Sequence, residues 1–263
     1  MTPHRVPYIQ DRTIVVVPTS KTVTNAEDLD FFYSRIRDIP NCVMLDIGAN
    51  KGYYSLLTTL KPDLRYFAFE PQPRVYRNFL LRNLAFNQVE KRGQAFNYGL
   101  ADRNFFAPLW FDNSENASLQ KDAARESEIV HEVCRNPKRS GFLRYSSIRC
   151  EFRRLDDVLC TAIGLWRNSI NAIKLDVEGA ESLVIDGGTD FFQHTDAFLF
   201  VEVEERHCAR FNTTVDSVIE KLRAVGYSKF EQVRNNYLCT KTALTNPAAT
   251  SLSASAPLSG VTP

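Results

Sequence analysis

Val43-Met-Leu-Asp-Ile-Gly-Ala-Asn-Lys-Gly-Tyr53 reads as a short apolar run carrying Asp46, then a turn in which Gly48 and Gly52 bracket Ala49, Asn50 and Lys51. The apolar Tyr53-Tyr54-Ser55-Leu56-Leu57 follows. This order predicts a buried strand that enters a tight turn and opens a helix, the place where open α/β sheets hold nucleotide-like ligands beyond the carboxyl end of a strand. Glycines can take positive φ there and let a ligand approach bare backbone, and the first free N–H groups of the helix could meet a carboxylate or phosphate. The spacing Gly48-Ala-Asn-Lys-Gly52 followed by Tyr matches neither G-x-G-x-x-G nor G-x-x-x-x-G-K-[ST]. Asp46, an acid before the first glycine, suits a ligand with positive charge and donor groups better than a phosphate. S-adenosylmethionine, with an ammonium and a sulfonium, has that character. An ordinary strand-to-helix turn without a ligand is the alternative.

Two further segments converge on the same reading. Tyr66-Phe67-Ala68-Phe69 is an apolar strand ending in Glu70-Pro71, and an acid about twenty residues past the glycine turn is where Rossmann-like folds bind ribose hydroxyls. Pro71 and Pro73 keep Glu70 at the strand tip. The alternative for Glu70 is a surface carboxylate. Ala172-Ile-Lys-Leu-Asp-Val-Glu-Gly-Ala-Glu181 again alternates and ends in Asp176 and Glu178, before a helix that Gly187 and Gly188 stop. Two strands thus deliver acids to one sheet edge.

The segments MLDIGANKGYYS, FAFEPQP, NLAFN at 83–87, RLDDVL at 154–159 and IKLDVEGAESLVIDGG together resemble the FkbM family of S-adenosylmethionine-dependent methyltransferases, over roughly 40–239. The resemblance implies a class I methyltransferase fold: an α/β, Rossmann-like doubly wound sheet, mostly parallel, with an antiparallel C-terminal hairpin. It implies methylation of hydroxyl oxygens on small molecules or sugars. It also implies that Asp46, Gly48, Asn50 and Gly52 contact the methionine part of S-adenosylmethionine, Glu70 the ribose, and Ala101 and Asp102 the adenine. Where the family has a compact loop after its third strand, this chain carries 119–147.

Alternation of elements predicts strands at 13–17, 43–47, 65–69, 95–101, 107–111, 147–154, 172–177 and 197–203. Helices are predicted at 28–37, 53–60, 73–86, 156–163, 180–186 and 214–225, with a hairpin of 229–233 and 237–240 through an Asn-rich turn. We expect an N-terminal extension with a short strand and helix at 1–39, the methyltransferase domain at 40–242, and a disordered Ala/Ser/Thr/Pro tail at 243–263. The 119–147 insertion, with Arg135, Lys138, Arg139 and Arg144, could be a lid that reads an anionic acceptor or a solvated segment with a helix near 122–134.

Composition sets limits on partners. A chain of 263 residues, 44% hydrophobic, with net charge +1 has core-forming capacity but no global attraction for nucleic acid or anionic membrane. It shows no membrane-length apolar run and no secretion signal. Six scattered cysteines without a C-x-x-C pair favour buried thiols in a reducing, cytoplasmic setting over zinc or a disulfide framework. A hydroxyl acceptor must lose a proton, so Asp176, Glu178 and His207 are the candidate catalytic groups, Asp176 as base or orienting group. Glu202 and Glu204 lie on the neighbouring strand exit. Clustered carboxylates could hold Mg²⁺, although no ligand spacing demands a metal. A cofactor-binding module without turnover and another nucleotide-dependent enzyme on the same sheet remain open alternatives.

Overall fold

The computed structural model describes residues 3–18, 25–111, 117–120, 146–163 and 169–242. The 243–263 tail and most of the 119–147 insertion, including its four basic residues, lie outside the described residues. Along the chain run β1 (His4–Pro7), β2 (Thr13–Val16), β3 (Val43–Ile47), β4 (Arg65–Phe69), β5 (Gly93–Phe96), β6 (Gly99–Ala101), β7 (Phe105–Phe111), β8 (Ala117–Ser118), β9 (Ser146–Arg154), β10 (Ala172–Leu175), β11 (Phe198–Glu202), β12 (Lys229–Val233) and β13 (Asn236–Thr240).

Seven strands form the main sheet in the order β12-β13-β11-β10-β3-β4-β5. Neighbours from β11 to β5 are parallel, while β13 and β12 run antiparallel. Chain direction across the sheet reverses between β3 and β10, which opens a crevice at their carboxyl ends. Period-two alternation explains the layers. Val43, Leu45, Ile47, Ile173, Leu175, Leu199 and Val201 point to one face and pack with Val184, Phe191, Val218 and Leu222 from the helices Glu181–Gly187, Thr189–His194 and Val215–Ala224. Met44, Ala68, Ala172 and Phe200 point to the other face.

That second face is covered partly by the N-terminal extension. In the helix Ala26–Ile36, Leu29, Phe32 and Ile36 recur at helical spacing and are buried against the sheet, joined by Val6, Ile14 and Val16 from β1 and β2. Each such side chain contributes roughly 1.5–3 kcal/mol of burial, so residues of the extension belong to the core. The side chains of Asn83 and Asn87 tie β2 down by accepting from Val17 N and Val15 N.

Several elements differ from the sequence expectation for local reasons. The strand expected over 95–101 breaks at Asn97, whose side-chain amide donates to the carbonyls of Glu70 and Pro71. β6 then leaves the main sheet and joins β9, β7 and β8 in a second, four-stranded sheet. The helix expected over 53–60 is only a 3₁₀ turn, Ser55–Thr59, in which Thr58 and Thr59 hydroxyls donate back three residues to Ser55 and Leu56 carbonyls. The helix expected over 73–86 is present as Pro73–Val75 and Leu81–Phe86 joined by a π turn, Tyr76–Leu80. At 156–163 the helix shortens to Leu155–Val158 before another π turn, Leu159–Ile163. His4–Pro7, Thr189–His194 and Glu205–Cys208 are ordered elements that sequence pattern did not reveal. The helix Val215–Ala224 starts on a reciprocal cap between Thr214 and Ser217. Cys42, Cys150, Cys208 and Cys239 are buried free thiols and Cys160 an exposed one. No helix among the described residues is long and apolar enough to cross a membrane.

Candidate active site

A cavity of about 740 Å³ occupies the crevice beyond β3 and β10. Asp46, Gly48, Asn50, Glu70, Asp176, Glu178 and His207 all line it, so the fold brings the three acid-bearing strand ends together. Gly52 does not line it. Neither do Ala101 and Asp102: Ala101 is fully buried with its carbonyl against Gly187, and Asp102 pairs with Arg103. Gly99 and Leu100, just before them, face the cavity with Leu109, Leu119 and Phe152 of the apolar end.

The glycine turn works differently from a helix N-terminus with free amides. Gly48 N and Ala49 N donate to the Phe69 carbonyl, Asn50 N to Glu70 Oε2, and Gly52 N to the Ala49 carbonyl. These donors are spent within the protein, because the helix that would have freed them is a single 3₁₀ turn. Gly48 is required for packing: at φ +79°, a Cβ there would stand 1.8 Å from the Asp176 carbonyl oxygen. The turn from β3 therefore lies directly on the strand end of β10. Acceptors remain. Asn50, at φ +49°, keeps its buried Oδ1 without a hydrogen-bond partner, and Asp46 and Glu70 contribute carboxylates. Such a turn favours a ligand rich in donors or positive charge.

Asp46 is 1% exposed, and its Oδ2 accepts from both the backbone N (3.0 Å) and the hydroxyl (2.6 Å) of Ser55. Burial pushes its carboxyl up to about 6, against the pull of Ser55 and Lys174. It therefore has a structural share as well as a place on the cavity wall. Glu70 accepts from Asn50 N through Oε2 (2.9 Å) and from Gln72 N through Oε1 (2.8 Å), and burial raises it to about 7.

At the other wall, the loop after β10 is clasped by Glu181, whose Oε1 accepts from Val177 N (3.1 Å) and Gly179 N (3.2 Å). Glu178, in a left-handed backbone at φ +56°, is raised to about 8 by burial and by the charge of Asp176. Its Oε2 lies 3.2 Å from His207 Nε2. His207 sits in the helix Glu205–Cys208 rather than a solvated loop, and burial, then Arg210, lowers its basicity. Burial, then the charge of neighbouring Asp176, raises Glu202, while Lys174 pulls it down. Burial works against the Glu204 anion, but Arg206 Nε (2.5 Å) and Asn235 Nδ2 (2.8 Å) hold it below the usual range.

Sequence reasoning passed over Lys174, Tyr54, Asn25 and Asn235, all on the cavity wall. A signal existed for Lys174, a lone charge in the otherwise apolar strand Ala172–Leu175. Among the described residues, no three His, Cys, Asp or Glu side chains cluster as metal ligands.

A family model described as the methyltransferase FkbM domain matches residues 46–229. The chain belongs to the FkbM methyltransferase family. This FkbM chain is 29% identical over 185 residues to the 2-O-methyltransferase NoeI of Sinorhizobium fredii, covering 70% of this chain and 72% of that protein. It is 30% identical over 198 residues to methyltransferase sdnD of Sordaria araneosa, covering 70% and 74%. A 28% match to the AMB antimetabolite synthetase AmbE of Pseudomonas aeruginosa covers 76% of this chain but only 10% of AmbE. The crystal structure of methyltransferase FkbM from Methylobacillus flagellatus shares the fold, with TM-score 0.50 at 14% identity, over 80% of this chain and 46% of that one.

Proposed function

We propose that this FkbM chain is an S-adenosylmethionine-dependent O-methyltransferase acting on a hydroxyl of a small molecule or sugar. The observation that carries the reading is the set of carboxylates, Asp176, Glu178 and Glu202, that lines the cavity across the crevice from an acceptor-rich turn. The family membership and the printed activity of NoeI, a 2-O-methyltransferase, point the same way.

The residues fit such a cofactor. Unspent acceptors at Asp46 and Asn50 suit the ammonium and the electron-poor sulfur, Glu70 suits ribose hydroxyls, and the apolar wall of Gly99 and Leu100, just before Ala101 and Asp102, suits adenine. When bound, S-adenosylmethionine would supply a methyl group already activated on sulfonium, which leaves the protein chiefly the work of alignment and proton removal. Asp176 and Glu202 are the proton-accepting pair in this reading. Glu178 and His207 stand behind them as a second couple that keeps the loop after β10 against the helix Glu205–Cys208.

Calorimetric titration with S-adenosylmethionine and S-adenosylhomocysteine, with NAD as control, tests the cofactor assignment. Both should bind, and Asp46→Asn should weaken them. A folded protein that binds neither would sink the reading. Release of S-adenosylhomocysteine with hydroxylated acceptors then separates turnover from a binding module.

A further inference from the structure

Across β3, β10 and β11, the sheet face that packs against the N-terminal extension is apolar except at Asp46, Lys174 and Glu202. Lys174 pairs in register with Asp46 on one side and Phe200 on the other. It is 3% exposed, yet it lines the cavity. Its Nζ lies 3.4 Å from Asp176 Oδ2, 5.3 Å from the centroid of the Tyr54 ring and 5.9 Å from that of Phe200, and has no hydrogen-bond partner. Asp28 from the helix Ala26–Ile36, Asp46 from β3, and Glu202 from β11 all feel its charge.

A buried ammonium with unspent donors is costly unless something fills them. Besides its ion pair with Asp176, Nζ faces the rings of Tyr54 and Phe200, and the residue lines the cavity.

We propose that Lys174 receives the acceptor oxygen, donating a hydrogen bond that stabilises the negative charge developing there as the proton leaves. This deepens the O-methyltransferase reading and rests on it. The acceptor O–H bond breaks and its proton passes to a carboxylate of the cavity wall, Asp176 or Glu202. The oxygen lone pair forms the new C–O bond, while the C–S bond breaks with its electrons staying on sulfur, so that sulfonium becomes thioether. Donors aimed where charge develops in the transition state are a large source of rate enhancement. Lys174 is thereby separated from the cofactor residues Asp46 and Glu70, and that separation is measurable without knowing the natural acceptor.

The test compares wild type, Lys174→Met, Lys174→Arg and Asp46→Asn by S-adenosylhomocysteine calorimetry. In parallel, ¹⁹F NMR follows binding of trifluoroethanol, a minimal hydroxyl probe, to the S-adenosylhomocysteine complex. ¹³C-carboxyl NMR follows the titration of Glu202. Lys174→Met should keep S-adenosylhomocysteine affinity within about threefold, lose saturable trifluoroethanol binding about tenfold or more, and move the Glu202 titration upward, each about tenfold being 1.4 kcal/mol. Lys174→Arg should restore the Glu202 titration. The proposal is overturned if trifluoroethanol binds Lys174→Met as well as wild type, or fails to saturate wild type. It is also overturned if Lys174→Met weakens S-adenosylhomocysteine as much as Asp46→Asn does, or if both Lys174 variants fail to fold. Absence of S-adenosylhomocysteine binding to wild type would instead remove the methyltransferase reading itself.

Discussion

The two walls of the crevice are built differently. On the β3–β4 side, Asp46 and Glu70 are locked by short hydrogen bonds from Ser55, Asn50 and Gln72. On the β10–β11 side, Asp176, Glu178 and Glu202 line the cavity together, and burial, then the charge of Asp176, pushes Glu178 and Glu202 upward. Burial raises acids on both walls, but on the first wall backbone donors also pin Asp46 and Glu70 in place. A ligand that must be held still fits the first, and a hydroxyl that must be deprotonated fits the second.

The harshest way to break this comparison is Gly48→Ala, which touches both walls. A Cβ 1.8 Å from the Asp176 carbonyl, at positive φ, should cost about 3 kcal/mol or more and separate the two strand ends. Chemical denaturation and S-adenosylhomocysteine calorimetry read both effects, and a variant of wild-type stability would show that the close approach is not real. Asp46→Asn attacks the preorganised wall alone. It should lower S-adenosylhomocysteine affinity by about a hundredfold, or roughly 2.7 kcal/mol, with little change in stability at neutral pH, because weaker bonds to Ser55 are offset by relief of a buried charge. Unchanged affinity would remove Asp46 from the cofactor site.

Glu181→Ala attacks the other wall without entering the cavity. Two N–H groups, of half-buried Val177 and buried Gly179, would lose their acceptor, at about 1–3 kcal/mol. Turnover should fall with it while S-adenosylhomocysteine affinity changes by less than about threefold, and Glu181→Gln should recover most of the loss. A calorimetric affinity that falls with Glu181→Ala would instead join the two walls into one unit.

Proton linkage sharpens the contrast. The folded-state values of Asp46 (about 6), Glu70 and Glu181 (about 7) and Glu178 (about 8) all lie above their ordinary values. Their contribution to stability is therefore complete below the unfolded carboxylate range and is lost as pH rises through about 6 to 8. Melting temperature should fall from pH 5 to pH 9, and Glu178→Gln should flatten the upper part of that fall. A flat profile in wild type would show that these carboxyls titrate normally. The smallest effect is expected at Tyr8→Phe, which removes the hydroxyl that donates to the Tyr53 carbonyl at 2.5 Å. That change should cost about 1 kcal/mol and shift S-adenosylhomocysteine affinity by less than about twofold.

The main sheet and its crevice were legible because local signals and global placement agree. Alternation in Val43–Ile47 and Ala172–Leu175 matches two buried faces, and prolines fix Glu70 at a strand tip. The short 3₁₀ turn at Ser55–Thr59 was not legible, since its apolar run resembles a longer helix and only the backward hydroxyl bonds distinguish it. The departure of β6 to a second sheet depends on Asn97 reaching Glu70 and Pro71, contacts remote in sequence.

Sequence by itself determined which strands are buried on both faces, where glycines and prolines end them, and that acids stand at three strand tips; these follow from local sterics and side-chain periodicity. Tertiary structure alone decided that the turn spends its N–H groups internally, that Asp176 and Glu202 line one cavity wall, and that Lys174 lies opposite Asp46. The reason is physical: burial and charge coupling depend on strand register and on what covers the sheet, and neither is a property of a residue's neighbours along the chain.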